Sequence, residues 1–527
     1  MTTDLTSVAV DAPRRVAPSP QQIDVAALEH DLRVAVDGEV RFDAGSRGAY
    51  STDASNYREV PIGVVVPRTI DAAVEAVAVC GRHGAPLLSR GGGTSLAGQC
   101  TNTAVVLDWS KYCNRLTSVD ADARTCVVEP GIVLDHLNAQ LADTGLEFGP
   151  RPATHSHCTI GGMIGNNSCG STAQRTGKVV DNVCRLEVLL YDGTRMWVGA
   201  TSDEEYEQIV SAGGRRAEIY RRLRQLSDDH AELIRHRYPD IPRRVSGYDL
   251  DSLLPEYGFH VARALVGSEG TLVTVLRAEL QLVPKVPAHT VVMLGFPDVF
   301  ASADAVPQVL TSRPTALEGI DHKLVGFERD KRMNTAALHL LPKGSAWLLV
   351  QLGGHDQDDA RRNADQLLEA IGRGRDSDDV ACFDDDDQQA ELWEVRESAL
   401  GATARIPGEH DTWPGWEDSA VDPSRLGAYL RDLFGLYEEF GYTEASLYGH
   451  FGQGCVHTRI PFDLVSAAGV ANFRAFLERA ADLVTSYGGS LSGEHGDGQA
   501  RGELLERMFG AEVVDLFRDV KSLFDPD

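Results

Sequence analysis

Hydrophobic and polar positions change period repeatedly along residues 45–285, which is typical of a domain that mixes strands and helices. Short apolar runs bounded by turn residues predict four strands: residues 62–66, 86–89, 104–108 and 126–129. Apolar residues at helical spacing, each group followed by a glycine, predict two helices: residues 71–82 and 133–144. Residues 186–198 read LEVLLYDGTRMWV, a hairpin with an Asp-Gly turn. The pattern predicts an α+β fold with more than one small sheet.

The remaining chain divides into three further segments. Residues 286–465 are predicted to form a second domain, because apolar strands again alternate with helices. Residues 466–527 are predicted to be helical, with one glycine-rich loop between helices. Residues 1–44 are predicted to be an N-terminal arm, since the first residues are polar and lack the apolar core of a signal peptide. A chain of 527 residues is expected to contain two or three domains.

Composition narrows the classes of function. Hydrophobic residues make up 43% of the chain and charged residues 24%, as in ordinary globular proteins. The formal net charge of −28 argues against nucleic acid as a partner. No apolar run approaches the ~20 residues of a membrane helix. Nine cysteines occur singly without a CxxC pair, so no iron–sulfur cluster or structural zinc site is expected within this chain, and reduced thiols in a cytosol fit best.

Three glycine-rich loops in the first domain could bind phosphate groups. Residues 89–98 read SRGGGTSLAG, residues 159–171 read TIGGMIGNNSCGS, and residues 267–272 read GSEGTL. Consecutive glycines expose main-chain N–H groups, which suit a pyrophosphate. Neither the Rossmann nor the P-loop spacing is present. Each loop alone could be a tight turn, but three such loops in one domain favour a binding site.

Two late motifs carry the chemistry of a metal site. Residues 448–457 read YGHFGQGCVH and residues 491–502 read LSGEHGDGQARG. They place His450, His457, Glu494 and His495 on glycine-rich backbone. A carboxylate and imidazoles can bind a divalent metal and leave one imidazole free to move a proton. The alternative is that these histidines are structural residues with satisfied hydrogen bonds.

These five motifs, in this order, resemble the flavoproteins of the vanillyl-alcohol oxidase (PCMH-type) superfamily, and within it the D-2-hydroxyacid dehydrogenase branch. The resemblance covers residues 45–527 and is greatest to the flavin module of large bacterial proteins that also contain an iron–sulfur domain. It implies a two-subdomain FAD-binding domain over residues 45–285 and an α+β substrate (cap) domain with an antiparallel sheet over residues 286–465. The C-terminal segment would return to the FAD domain.

The resemblance implies that FAD lies between the two subdomains. The residues expected to contact it are Arg90, Gly91, Gly92, Gly93, Thr94, Ser95, Gly161, Gly162, Asn166, Ser168, Gly170, Ser171, Glu269 and Gly270. Some relatives bind FAD covalently through a histidine in the first loop, where this chain has only glycines. We therefore expect non-covalent FAD. Cys158, just before the second loop, is the alternative attachment point, although a buried structural thiol fits better.

In this family two histidines and a glutamate hold a divalent metal, usually zinc. The corresponding ligands are His450, His457 and Glu494, and His495 would be the general base. Two other positions depart from the family motif, because Gln453 and Cys455 stand where relatives have aspartate and asparagine. Both are expected to affect the surroundings of the ligands.

Two arginines are candidates for holding the substrate. Arg396 lies in LWEVRE, which resembles the segment whose arginine binds the substrate carboxylate. Arg459, two residues past a metal ligand, could reach a distal carboxylate. Either could instead form an ordinary ion pair. Relatives that act on hydroxyglutarate add a threonine and a lysine, whereas this chain has Leu400 and the sequence WED at 416–418, so that part of the pocket is altered.

The expected function is oxidation of a D-2-hydroxy acid, with D-2-hydroxyglutarate as first choice and D-lactate or glycolate as alternatives. A non-catalytic flavin-binding accessory subunit is the alternative of another class, and the intact metal and base set argues against it. The expected electron acceptor is an iron–sulfur domain or partner beyond residue 527. The expected location is the cytoplasm, with attachment to the inner membrane face as an alternative, and a homo-oligomer stays open.

Overall fold

A computed structural model of the chain describes residues 23–406, 408, 411–443 and 445–526. Residues 1–22 of the predicted arm lie outside this range. The rest of the predicted arm is folded: residues 25–35 form a helix that packs on the first sheet, and residues 38–41 form a strand of that sheet. The elements of the first sheet and of the helices around it are α1 (Val25–Ala35), β1 (Gly38–Arg41), α2 (Ala44–Ala49), β2 (Gly63–Pro67), α3 (Ile70–His83), β3 (Leu87–Arg90) and β4 (Val105–Asp108).

The first sheet has the strand order β1-β2-β4-β3, with β1 antiparallel and the other strands parallel. Strands β2 and β4 are buried along their whole length, which explains their continuous apolar sequences. Helices α1 and α3 pack on this sheet and bury Leu28, Leu32 and Val77. Arg90 ends β3, so the first glycine-rich loop leaves the sheet at the carboxyl end of a parallel strand.

A second sheet of five antiparallel strands has the order β5-β6-β10-β8-β9. Strands β8 and β9 form the predicted hairpin around the Asp192-Gly193 turn. The second glycine-rich stretch was predicted as a loop, but residues 160–166 form a short helix whose N-terminus is capped by Thr159. The elements of this region are β5 (Leu116–Asp120), β6 (Thr125–Val128), α4 (Leu134–Leu141), β7 (Leu146–Glu147), α5 (Ile160–Asn166), α6 (Ala173–Thr176), β8 (Val183–Leu189), β9 (Arg195–Gly199), α7 (Asp203–Ala212), α8 (Gly214–Arg237), α9 (Val261–Leu265), β10 (Thr274–Gln281) and β11 (Val283–Pro284).

The third sheet has seven strands in the order β15-β12-β14-β13-β17-β18-β16, and all its pairings are antiparallel. Helices cover it on both faces, so β12 and β14 read as continuous apolar runs. The elements are β12 (Ala288–Phe296), α10 (Val299–Val309), β13 (Ala316–Asp321), α11 (His322–Asp330), α12 (Thr335–Leu338), β14 (Ala346–Gly354), α13 (Gln357–Ala370), β15 (Val380–Phe383), α14 (Asp386–Glu397), α15 (Ala399–Ala402), β16 (Ser419–Ala420), α16 (Leu426–Phe440), β17 (Ser446–Gly449) and β18 (Cys455–Arg459).

Three helices complete the described chain: α17 (Ala467–Ser486), α18 (Gly498–Arg501) and α19 (Leu505–Phe524). Helix α19 packs against α8, and Lys521 donates to the carbonyl of Thr271 at 2.8 Å, so the C-terminal helices contact the first half of the chain. The predicted α+β class and the antiparallel sheet of the second half are confirmed. Among the described helices, none has both the length and the apolar character needed to cross a bilayer.

Candidate active site

One cavity between the two halves of the chain collects nearly all of the predicted site residues. Its lining includes the first glycine-rich loop, helix α5 with the residues around it, and the loop containing Glu269. It continues to the four residues of the predicted metal and base set and to Arg396. Of the predicted residues, Gly170 and Arg459 are not part of the lining. The structure therefore joins the proposed cofactor loops and the proposed metal site in one space.

Each of the two glycine-rich stretches lies closely against another main-chain segment of the first half of the chain. A Cβ at Gly92 would collide with the carbonyl of His157, and one at Gly170 would collide with the carbonyl of Arg151. Gly170 also has φ +84°, which favours glycine. Arg90 donates to the carbonyls of Thr52 and Cys100 at 2.8 Å, so its guanidinium braces the first loop. Glycine is needed at both positions because the neighbouring main chain approaches too closely for a side chain.

Three imidazole rings converge on one oxygen of Glu494. The Nε2 atoms of His450, His457 and His495 lie 2.9, 3.2 and 3.5 Å from its Oε1. His450 follows β17 and His457 lies in β18, while Glu494 and His495 lie in the loop between α17 and α18. The rings of His457 and His495 stack with centroids 4.9 Å apart. The two motifs thus meet at a single carboxylate oxygen.

The other oxygen of Glu494 is held by groups on the opposite side. Arg243 donates from NH1 to Oε2 at 2.7 Å, and the N–H of Gly170 donates to the same atom at 2.9 Å. The Arg243 side chain is fully buried. It also donates to Gln453 Oε1 at 2.8 Å and to the carbonyl of Gly170. These contacts fix the carboxylate with Oε1 facing the histidines. They also give Gln453, a departure from the family motif, a direct place beside the site.

Asp418 fixes the backbone that carries Glu494 and His495. Its carboxylate accepts the N–H groups of Gly493, Glu494 and His495 at 2.8–3.1 Å and the hydroxyl of Ser492. Cys455, the other departure from the motif, also contacts it, with Sγ 3.2 Å from Oδ1. Asp418 is fully buried and has φ +77°, a conformation that aspartate tolerates better than most residues.

Glu318 joins the metal motif to Arg396. It lies in the buried strand β13 and contacts Nδ1 of His450 and Nε of Arg396, each at 2.7 Å. Burial acts to raise the pKa of this carboxyl, but its contacts with His450 and Arg396 outweigh burial and lower the pKa. Arg396 also lies over the ring of Tyr448, 4.9 Å from its centroid. Glu318 therefore orients both a predicted ligand and the predicted substrate-binding arginine.

This arrangement has the donor set of a divalent cation site. The contact with Glu318 favours a proton on Nδ1 of His450, which leaves the Nε2 lone pair facing a Glu494 oxygen 2.9 Å away. Two facing lone pairs repel unless a proton or cation lies between them. A third imidazole adds to the crowding, because a carboxylate oxygen has only two lone pairs. A carboxylate behind a metal-binding histidine is a common feature of metal sites.

Asp418, His457, Glu494 and His495 each offer a ligand atom, and these atoms lie within 4.8 Å of one another. Asp418 is nevertheless a poor ligand, because its oxygens already accept the main-chain N–H groups of the 493–495 loop. His450 is a better candidate than Asp418 for this ligand position, since its Nε2 is the closest of the three histidine Nε2 atoms to Glu494 Oε1. The residues present therefore fit a cation held by histidines and Glu494.

Burial and charge act oppositely on the two stacked histidines. Burial lowers the pKa of His457 to about 4, which keeps that imidazole neutral, as a ligand requires. Burial also acts to lower the pKa of His495, but Asp418, Glu417 and Glu494 outweigh it and raise that pKa. In the absence of a cation, these carboxylates therefore favour the protonated, positively charged form of His495, whereas only its neutral form can accept a proton.

Arg459 is placed differently from its predicted role. Its side chain is buried outside the cavity, with Nε 3.8 Å from Glu417. Neither oxygen of Glu417 makes a hydrogen bond within the described part of the chain, and Oε1 lies 3.2 Å from Nδ1 of His495. Arg459 thus neutralises a buried carboxylate behind His495. The predicted contact of Arg459 with a distal substrate carboxylate does not agree with this position.

The sequence did not predict the roles of four important residues, Arg243, Glu318, Glu417 and Asp418, although it indicated that residues 416–418 are an altered part of the pocket. Each reads in isolation as an ordinary charged residue that would be solvated at the surface. Their only clue is an apolar neighbourhood, as for Glu318 in the strand ALEGID, because a charged residue within an apolar strand is rarely buried without a partner.

Two family comparisons agree with this architecture. Residues 61–199 match the family described as "FAD binding domain", and residues 285–527 match "FAD linked oxidases, C-terminal domain". Together the two matches cover most of the chain. The chain therefore contains an FAD-binding domain of the PCMH type and a C-terminal domain of the FAD-linked oxidase type.

The individual relatives that match most of this chain have low sequence identity to it. The chain is 28% identical to a D-2-hydroxyglutarate dehydrogenase of Pseudomonas putida over 93% of its own length and 49% of that protein. It is 26% identical to the glycolate oxidase subunit GlcD of Bacillus subtilis, covering 94% of this chain and 93% of that one. It is 28% identical to a D-lactate dehydrogenase of Archaeoglobus fulgidus, covering 88% of each. The chain spans about half the length of the curated D-2-hydroxyglutarate dehydrogenases that it matches.

Solved structures show the same fold at low identity. An alkyldihydroxyacetonephosphate synthase matches with a TM-score of 0.63 and 15% identity, over 97% of this chain and 86% of that chain. A p-cresol methylhydroxylase with bound substrate matches with a TM-score of 0.63 and 14% identity, over 95% and 94% of the two chains. These two likenesses describe the fold.

Proposed function

We propose that the protein is an FAD- and metal-dependent dehydrogenase that oxidises a D-2-hydroxy acid to the 2-oxo acid, with D-2-hydroxyglutarate as first candidate. The observation that carries the proposal is the convergence of three imidazoles on Glu494, in a cavity whose other end is formed by the glycine-rich loops. Relatives named for three D-2-hydroxy-acid or glycolate activities support the reaction class.

Each part of the site has a defined task in this proposal. His450, His457 and Glu494 would hold the cation, for which zinc is the first candidate because its usual ligands are imidazole and carboxylate. Such a cation would bind the substrate hydroxyl and carboxylate oxygens and lower the pKa of the hydroxyl. Bound FAD would supply the oxidant, taking two electrons with the hydrogen of C2. FAD would lie along the loops at residues 89–95 and 159–171.

The protein groups position the substrate and move its proton. Arg396 lines the cavity with its Nε held by Glu318, so its orientation is set before any substrate carboxylate arrives. His495 also lines the cavity, and Glu417 lies 3.2 Å behind its Nδ1. His495 would therefore take the hydroxyl proton on Nε2 while Glu417 stabilises the imidazolium that forms.

D-lactate or glycolate is the second candidate substrate, because Leu400 lines the cavity where a hydroxyglutarate relative would have a polar residue. A cytoplasmic location is part of the proposal and is supported by nine cysteines that are all unpaired. An iron–sulfur domain or partner remains the proposed acceptor of the electrons.

A dye-coupled screen tests the proposal. Protein replete with FAD and zinc would be assayed with D- and L-lactate, D- and L-2-hydroxyglutarate, D-malate and glycolate, before and after chelation. We expect activity on D-isomers, loss on chelation and recovery with the metal. Metal-replete protein with full flavin but no activity on any 2-hydroxy acid would favour the accessory-subunit alternative.

A further inference from the structure

The cavity has a third arginine, and its surroundings differ from those of the other two. Within the described chain, Arg90, Arg151 and Arg396 are the arginines that line it. Arg90 is bound to main-chain carbonyls, and Arg396 is bound to Glu318 at 2.7 Å. Among the described residues, the guanidinium of Arg151 makes a long contact with Glu397, whose Oε1 lies 3.5 Å from Nη1, and a contact from Nη2 to His155 Nε2 at 2.9 Å. Its side chain is 42% exposed.

The main chain of Arg151 lies close to the proposed metal site although it belongs to the other half of the chain. Its main chain forms a β-bridge with Gly170, whose N–H donates to Glu494 Oε2 at 2.9 Å. Glu397, the last residue of α14, directly follows Arg396. Arg151, Arg396 and Glu397 all line the cavity, and the Arg151–Glu397 pair joins the two halves of the chain across it.

Resting on the proposed function, we propose that Arg151 is a specificity-determining residue that binds the second carboxylate of a dicarboxylic D-2-hydroxy acid, exchanging Glu397 for the substrate. The exchange costs little, since a long, partly exposed ion pair contributes little free energy. A substrate carboxylate can make two parallel hydrogen bonds to the guanidinium, which is a stronger interaction. Arg459 is buried beside Glu417 and does not line the cavity, so it is not placed for this purpose.

Glu397 still has an ion-pair partner when Arg151 binds the substrate instead. His155 Nε2 lies 3.5 Å from Glu397 Oε2, and its Nδ1 is held by Asp135 at 2.7 Å. The hydrogen bond with Glu397 raises the pKa of His155. The released carboxylate thus stays beside an imidazole whose orientation Asp135 fixes. Glu397 also weakens the binding of a dicarboxylate, because its own carboxylate repels the second carboxylate of the substrate until Arg151 has paired with the substrate.

The test compares selectivity among wild type and three variants: Arg151→Ala, Arg151→Lys and Glu397→Gln. The measured quantity is kcat/KM for D-2-hydroxyglutarate divided by kcat/KM for D-lactate, on FAD- and zinc-loaded protein. Arg151→Ala should lower this ratio roughly 10- to 100-fold, the value of a charged hydrogen bond. Arg151→Lys should lower it less, since the charge remains but the paired hydrogen bonds do not. Glu397→Gln should raise it several-fold, because the competing carboxylate is gone.

Arg68→Ala is the matched control. Arg68 is another exposed arginine paired with a carboxylate, at 3.2 Å from Asp37 and outside the cavity, so its variant should leave the ratio unchanged. Equal losses on both substrates in Arg151→Ala, or an unchanged ratio, would overturn the assignment and leave the proposed function intact. Flavin content and thermal midpoint confirm that each variant folds.

A ligand-binding experiment without turnover distinguishes failure of the Arg151 assignment from failure of the proposed function. Perturbation of the flavin absorbance by 2-oxoglutarate and by pyruvate gives two Kd values without any turnover. Arg151→Ala should weaken 2-oxoglutarate relative to pyruvate by a similar factor. If the wild type oxidises no D-2-hydroxy acid, the proposed function fails, and the Kd ratio still decides the role of Arg151. Failure of the wild type to bind 2-oxoglutarate would overturn that role.

Discussion

Arg243 donates to Glu494 Oε2 across 2.7 Å in the interior, and this contact turns the opposite carboxylate oxygen toward three histidines. The guanidinium is fully buried and does not line the cavity. A residue that touches neither substrate nor proposed metal thus determines how the site presents its carboxylate.

Arg243→Gln should therefore lose bound metal and stability together. Removing one partner of a buried ion pair costs about 3–5 kcal/mol, because the remaining charge is left uncompensated. Metal analysis and denaturant unfolding would measure the two effects. Arg277→Gln removes a partly exposed arginine paired with Glu187 at 2.6 Å and is the control, with a small effect expected. Full metal content and unchanged stability in Arg243→Gln would contradict this account.

Ligand and base should be separable by mutation. His450→Ala and His457→Ala should lose metal and turnover while retaining FAD. His495→Asn should retain metal and FAD but lose turnover by ~10²–10⁴-fold, as for a general base. Metal content, flavin absorbance and single-turnover rates would be measured on the same preparations. Loss of metal in His495→Asn would make that residue a ligand and require a different base.

The flavin should be non-covalent. Cys158 lines the cavity, but burial raises the pKa of its thiol to about 12, so little reactive thiolate forms. Acid precipitation of wild type should release all flavin into the supernatant, and Cys158→Ser should bind flavin as well as Cys113→Ser, a buried control outside the cavity. Flavin retained in the wild-type pellet, but not in the Cys158 variant, would establish a covalent bond.

Stability should depend on pH through Glu328. Burial raises the pKa of this carboxyl from 4.5 to about 7, and its Oε2 has no hydrogen-bond partner within the described chain. A raised acid pKa favours the folded state below pH 4.5, and this contribution is lost as pH rises through 7. Between pH 5 and 8, wild type should therefore lose about 1–3 kcal/mol relative to Glu328→Gln. Denaturant unfolding measures the difference.

Glu391→Gln, at an exposed position of α14, provides the comparison for Glu328. Its unfolding free energy should follow that of wild type across the same pH range. A constant difference between wild type and Glu328→Gln from pH 5 to 8 would show that Glu328 titrates normally.

The sequence by itself determined the elements and the local chemistry. Continuous apolar runs identified the buried strands, and an Asp-Gly turn identified the β8–β9 hairpin, because these features depend on neighbouring residues. The helix over residues 160–166 was missed, since its glycines favour a loop. The two histidine motifs were recognisable for the same local reason: their residue types and spacing carry the ligand pattern.

Only the tertiary structure decided which distant charges complete the site. Arg243 and Glu494 are 251 positions apart, and His155 and Glu397 are 242 apart. Spacing along the chain carries no information about such pairs, and a charged side chain reads as solvated until its environment is known. Whether a residue is buried depends on how the two halves of the chain pack. Their packing places Arg459 in the interior beside Glu417 and leaves the partly exposed Arg151 in the lining of the cavity.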